Sequence, residues 1–198
     1  KWYHNFGYGN LRDYGLADQK AAIEQLANRY SFIDINRVGI HGHSGGGFMS
    51  TAAILQYPDF FKAAVSCAGN HDNRIYNRWW SETHHGVKEV VSEKGDTTFV
   101  YNIKTNEEIA SRLKGHLMLV HGDIDNNVHP GNTLRVADAL IRAGKRFDML
   151  LLPQQRHGFG RYPETIKQKE CAGFRCTLFV LFSRIQFLNQ YFTGFEFY

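Results

Sequence analysis

Three residue types that together can make an acyl-transfer nucleophile are spread along this chain: a serine among glycines, an aspartate in a later loop, and a histidine later still. The serine is Ser44, in Gly42-His43-Ser44-Gly45-Gly46. A serine hydroxyl is a poor nucleophile at neutral pH; it needs a base to take its proton, and the base needs an acid to orient it. The pentapeptide follows an apolar run, Val38 to Ile40, and precedes a helical pattern from Phe48 to Tyr57. Strand, sharp turn and helix in that order describe a nucleophile elbow, which strains the serine backbone and holds Oγ out at the top of a sheet. Gly42 and Gly46 are read as keeping the flanking positions clear, so that strand and helix approach closely. The Gly45 amide is expected to point where a tetrahedral oxyanion would form. A glycine-rich turn with an idle serine is the competing reading of the pentapeptide alone.

In such a fold the partners come from loops after later strands, in the order Ser, then Asp or Glu, then His. Asp125 lies in the loop after a strand expected at Leu117–Val120, and His157 in the loop after one expected at Phe147–Leu152. Ligands of open α/β sheets sit at these carboxyl ends. Asp123 shares the loop; spacing favours Asp125 but leaves Asp123 open. Of the ten histidines, only His157 is both followed by glycine and placed just beyond the last apolar strand. His121 precedes the acid and would break the chain order; with His129 it is read as a loop-packing residue. His41, His43, His71, His84 and His85 lack metal-ligand spacing, so neither a metal nor another cofactor is expected.

The elements that must position these residues alternate. A helical face runs from Leu16 to Tyr30, and Asp34 reads as a turn residue in the connector that follows. Pro58-Asp59 ends the elbow helix, and Phe61 to Cys67 is a strand with few charges, as befits one buried on both faces. Asn70 to Val91 is dense in polar and aromatic residues, Tyr76, Trp79 and Trp80 among them. A short helical pattern spans Glu108 to Leu113. Asn132 to Ala143 is an amphipathic helix closed by Gly144, and a final helix could start at Pro163. Strands alternating with helices imply a parallel sheet covered on both faces.

The 198 residues and 43% hydrophobic content suit one globular domain with a sizeable core. A formal net charge of +4 from scattered basic residues gives no nucleic-acid footprint. No apolar run is long enough and free enough of charge to span a membrane. Cys67 reads as a small core residue, while Cys171 and Cys176 fit either a pair or free thiols. The chain opens at Lys1 without a start methionine, so it reads as a piece of something longer.

Taken together, Gly42 to Gly47, then His121-Gly122 through Asp125-Asn126-Asn127-Val128-His129, then His157-Gly158, resemble the catalytic domain of the prolyl oligopeptidase family of serine peptidases, in its dipeptidyl peptidase IV branch. The resemblance runs from about Gly7 to Tyr162. It implies an α/β-hydrolase fold, a mostly parallel sheet with helices on both faces, and release of N-terminal dipeptides, preferably X-Pro, through an acyl-enzyme. An esterase of the same fold and a catalytically silent interaction domain are the rival readings. By resemblance Ser44 is the nucleophile, Asp125 the acid and His157 the base, which decides between Asp123 and Asp125. Gly45 offers an oxyanion amide. Asn127 matches the asparagine whose side chain binds the substrate carbonyl before the proline, and Val128 beside it counts among the substrate-binding residues. Tyr76 and Trp80 fall where the family places two aromatics of the proline pocket, although tyrosine is the family's commoner choice at the second. Spacing of four along a helix would put both rings on one face; the competing reading has Tyr76, Trp79 and Trp80 packing the core.

The resemblance further implies a peptide substrate, an N-terminal β-propeller in the full-length protein and a periplasmic or extracellular setting, and it allows a homodimer. Residues 1–198 are read as the catalytic domain, incomplete at the N-terminus, where the strands bearing the second oxyanion donor are expected. The isolated chain is therefore expected to be nearly inactive. Residues 170–198 read as an atypical tail: where the family has an amphipathic helix, a run rich in Phe, Leu and Tyr leads to Tyr198.

Overall fold

The computed structural model describes residues 5–159. Helix α1 spans Leu11–Arg29 and starts earlier than its apolar face, because the Asn10 side chain accepts from the Asp13 amide and caps it. Asp34 makes the expected turn: its carboxylate accepts from the Asn36 amide at 2.9 Å. Strand β1 (Val38–His43) runs into helix α2 (Gly45–Gln56), and strand β2 (Phe61–Cys67) follows. Strand β5 (His116–Gly122), helix α4 (Gly131–Arg142) and strand β6 (Asp148–Leu152) complete the alternation. Gly144, at φ +65°, closes α4: its amide donates to Ile141 and that of Lys145 to Leu140, satisfying two carbonyls of the last turn.

The four strands form one sheet in the order β1-β2-β5-β6, parallel throughout. The register aligns His43 with Cys67, Cys67 with Val120, and Gly122 with Leu152. All four strands therefore end at one rim, and the chain leaves that rim at Ser44, Ala68, Asp123 and Pro153.

Alternation along the strands makes two faces. Val38, Ile40, Ala64, Leu117 and Leu119 share one apolar cluster with Leu16 and Ile23 of α1, Phe48, Ile54 and Leu55 of α2, and Val136 and Leu140 of α4. Complete burial of each Leu, Ile or Phe there stabilises the fold by about 1.5–3 kcal/mol. Ala63, Val65, Cys67, Val120 and Leu152 line the opposite face with Phe159. Within residues 5–159 the long helices thus all serve one face. The helix expected from Pro163, the tail over 170–198, and Cys171 and Cys176 lie outside the described residues. The topology is that of an α/β-hydrolase.

The stretch after β2 differs from its sequence reading. A 3-10 turn at Asn73–Ile75 leads to helix α3 (Arg78–His85). An antiparallel hairpin, β3 (Val87–Val91) with β4 (Thr97–Tyr101), follows it. The hairpin is exposed along nearly its whole length, so no inward-facing apolar alternation marked it in the sequence. Among the described residues no helix is long and apolar enough to cross a membrane.

Candidate active site

The elbow forms where β1 must turn into α2 without separating from the sheet. Ser44 sits at φ 60°, ψ −122°, a region that L-residues rarely adopt, and its amide donates to the Cys67 carbonyl at 2.8 Å. Of the pair expected to allow the close approach, Gly42 does so and Gly46 does not; Gly47 takes its place. A Cβ at Gly42 would stand 2.3 Å from the Gly46 carbonyl oxygen, and one at Gly47 would stand 2.6 Å from that of Cys67. A Cβ at Gly46 would meet nothing within 4 Å. Gly46 is pressed on through its backbone, so its lack of a side chain is not what lets strand and helix meet. Gly45 is the first residue of α2, so its amide is among the four that have no carbonyl to bond within the helix.

Residues far apart in the chain meet at this rim. His157 Nε2 lies 3.0 Å from Ser44 Oγ, and His157 Nδ1 lies 2.7 Å from Asp125 Oδ2. With Nδ1–H donating to the carboxylate, Nε2 is left to accept from the hydroxyl. The base loop is tied to the acid loop by its backbone, since the Ile124 amide donates to the Gln155 carbonyl at 3.2 Å. Asp123 is exposed, whereas Asp125 is buried beside His157.

Asp125 is held on both oxygens. Oδ1 accepts from the amides of Asn127, at 2.9 Å, and Val128, at 3.0 Å. Oδ2 faces His157 and also His121. Burial alone would raise the carboxyl pKa. Hydrogen bonds from His121, His157 and the Asn127 amide outweigh it and hold the group well below the ordinary carboxylate range. Asp125 is thus charged at neutral pH, ready to orient an imidazole and stabilise its protonated form.

On the other side of Ser44 stand the aromatics. A Cβ at Gly45 would lie 3.6 Å from Trp80 Cζ2, so the indole flanks the elbow. Tyr76 and Trp80 meet edge to face at 5.6 Å, and the Tyr76 hydroxyl donates to Asn127 Oδ1 at 3.3 Å. The rings do meet, but not through a shared helix face: Tyr76 is extended and precedes α3, while Trp80 lies within it. Trp79 is 76% exposed and points away, so the three aromatics do not form one core. Val128, expected at the substrate, has no exposed surface. Its amide serves Asp125 and its carbonyl faces His121, so it shapes the acid loop from behind.

Sequence reasoning missed three residues. Asp72 is buried with its carboxylate on Arg74 and Arg135, and the Asn132 side chain accepts its amide at 2.9 Å; this fastens the Tyr76 segment to α4. His121 and His43 were read apart from the site, yet one touches Asp125 and the other His157. Chain order told against the first, and nothing in the spacing distinguished the second. Two further histidines lie behind the aromatic wall. His84 stacks on Trp80 at 4.4 Å, and His85 accepts from the Asn73 amide group at 3.0 Å.

Residues 1–174 match the profile of the prolyl oligopeptidase family. Human dipeptidyl peptidase 8 is 36% identical over 150 residues, 76% of this chain and 16% of that protein. Mouse prolyl endopeptidase FAP is 30% identical over 152 residues, 76% of this chain and 19% of that protein. The crystal structure of Porphyromonas gingivalis dipeptidyl peptidase 4 superposes with a TM-score of 0.70 at 27% identity, covering 86% of this chain and 24% of that one. The chain thus spans less than a quarter of the length of these relatives. A strained serine at an elbow, a histidine and a buried aspartate on successive rim loops, and a sequence match over most of the chain agree: this chain belongs to the prolyl oligopeptidase family.

Proposed function

We propose that this chain carries the catalytic centre of a serine peptidase that releases N-terminal dipeptides, preferably X-Pro, through an acyl-enzyme. The observation that carries the reading is the continuous path from Ser44 Oγ through the His157 imidazole to the buried Asp125 carboxylate, at 3.0 and 2.7 Å. As Oγ attacks the acyl carbon, His157 Nε2 takes its proton, and Asp125 stabilises the resulting imidazolium. The Gly45 amide donates to the developing oxyanion. His157 then gives the proton to the leaving amine, and water repeats the cycle on the ester. Tyr76 and Trp80 form two walls of an apolar slot beside Gly45 that suits a pyrrolidine ring, and Asn127 lies at its edge to meet the preceding carbonyl. The names of the relatives, dipeptidyl peptidases and a prolyl endopeptidase, support the substrate class.

The test uses the full-length protein. A fluorogenic Gly-Pro amide should be cleaved, and Ser44→Ala should lower kcat by roughly 10⁴-fold or more. Rapid hydrolysis of p-nitrophenyl esters with X-Pro amides untouched would make it an esterase. Failure of a fluorophosphonate to label Ser44 would make it a silent domain.

A further inference from the structure

The first variable position of the elbow pentapeptide carries a histidine that the reaction above does not use. His43 is the last residue of β1, and its Nε2 lies 2.6 Å from the carbonyl oxygen of His157. A carbonyl only accepts, so Nε2 of His43 carries a proton. The two imidazoles stand 4.6 Å apart between centroids, tilted by 58°. Phe159, almost wholly buried, meets the His43 ring edge-on at 5.5 Å. His157 is therefore held at three points: its side chain reaches Ser44 and Asp125, and its own carbonyl is held by His43. The backbone holding that side chain belongs to a connector, 153–159, in which Gln154 and Phe159 have positive φ. A strand-end side chain that grips the connector at the base itself limits its drift.

We infer that His43 is a positioning residue for the catalytic base, holding the His157 backbone and one side of its ring so that Nε2 stays on Ser44 Oγ. The inference rests on the reading of Ser44 and His157 as nucleophile and base. It carries a signature that packing alone would lack. His157 becomes an imidazolium during the reaction, and a second positive charge on the adjacent ring would oppose that. The titratable groups facing His43 are His157, Asp125 and His121. Burial lowers the His43 pKa, and the bond to the His157 carbonyl only partly offsets it. His43 is thus neutral near pH 7 and protonates only on the acid side.

Two variants separate donor from ring. His43→Phe keeps a ring and loses the donor; His43→Gln keeps an N–H for the carbonyl and cannot titrate. In the full-length protein, fluorophosphonate labelling of Ser44 should slow about 10- to 100-fold in His43→Phe and stay within about threefold of wild type in His43→Gln. On acidification the wild-type rate should fall more steeply than that of His43→Gln, because protonation of His43 opposes the imidazolium that the reaction forms; in His43→Gln that steepened limb should be absent. His43→Phe labelled at the wild-type rate, or His43→Gln with the steepened limb, would overturn the inference. A low-field proton resonance of His157 Nδ1–H gives an independent reading: it should sharpen in wild type and His43→Gln and broaden in His43→Phe, and identical lines in all three would also overturn it. A wild-type Ser44 that does not label at all would count against the peptidase reading, while the resonance still decides the role of His43.

Discussion

His121 Nε2 stands 3.3 Å from Oδ2 of Asp125, so two imidazoles rather than one face the acid of the site. The same nitrogen is 2.9 Å from the Val128 carbonyl, and His121 Nδ1 is 2.6 Å from Thr133 Oγ1. Nε2–H is therefore shared between carboxylate and carbonyl, while the Thr133 hydroxyl donates to Nδ1. His121, itself without exposed surface, ties together β5, on which it lies, the acid loop and the first turn of α4.

Replacing His121 by alanine should therefore act on both stability and chemistry. The Val128 carbonyl and Thr133 hydroxyl lose partners in a dry interior, and a cavity opens, for a loss of about 2–4 kcal/mol. Asp125 loses one of its donors, and the Ser44 labelling rate should fall at least about tenfold. Urea denaturation and fluorophosphonate kinetics check the two halves. A wild-type denaturation midpoint in His121→Ala would show that neither its hydrogen bonds nor its packing holds these elements together.

The backbone of Ser44 makes the second prediction. Its positive φ costs about 1–3 kcal/mol in a residue with a side chain and little in glycine. Ser44→Gly and Ser44→Ala both remove the hydroxyl, but only the first relieves the strain. Allowing about 0.5–1 kcal/mol for the greater freedom of glycine in the unfolded chain, Ser44→Gly should be the more stable of the two by about 1 kcal/mol. Equal melting temperatures would mean that the elbow is not strained.

The glycines around the elbow should behave differently from one another. Gly47→Ala drives a methyl against the Cys67 carbonyl and the Gly69 backbone, neither of which is the far end of a flexible side chain. It should cost about 1–3 kcal/mol or more, and Gly42→Ala, which meets the Gly46 backbone, at least as much. Gly46→Ala has open space and should leave the melting temperature nearly unchanged. A large loss at Gly46 with tolerance at Gly47 would reverse the account of how α2 rests on the sheet.

Much of this was legible in the sequence because each rim residue follows a strand whose apolar run stands out. Phe61 to Cys67 was read with its observed bounds, and Ser44, Asp125 and His157 lie in the loops where the strand pattern put them. What escaped notice depends on contacts across the chain. Nothing local marks Asp72 as the partner of Arg135, or Gly47 as the glycine beneath the Cys67 carbonyl. Tyr76 and Trp80 do meet, but through a turn and a helix start rather than the single helix their spacing implied. The β3–β4 hairpin was invisible because VKEVV and TTFVY face solvent on nearly every residue and lack the alternation that marks a buried strand.

Acid should weaken this fold in two stages. His71 and His85 are buried, and that burial, before the smaller influence of His121 on the first and of His84 and Arg12 on the second, pushes both imidazoles down to about 3. Each ring accepts from an amide group, Asn106 for His71 and Asn73 for His85, which suits the neutral form. The unfolded chain takes up these protons near the ordinary value of 6.5, before the folded one does. Their contribution is complete above that value and declines as pH falls toward 3, with a slope of at most about 1.4 kcal/mol per pH unit for each ring. Asp125 and Asp72 act lower down: their folded pKa values lie beneath 3.8, so the stability they add is present above that value and lost below it. Urea midpoints should thus fall between about pH 6.5 and about pH 4 from the histidines alone, and more steeply beneath about pH 4 as the carboxylates join. In His85→Gln the first decline should be shallower by one proton. A midpoint unchanged from about pH 7.5 to about pH 5 would mean that these rings are not held neutral inside the fold.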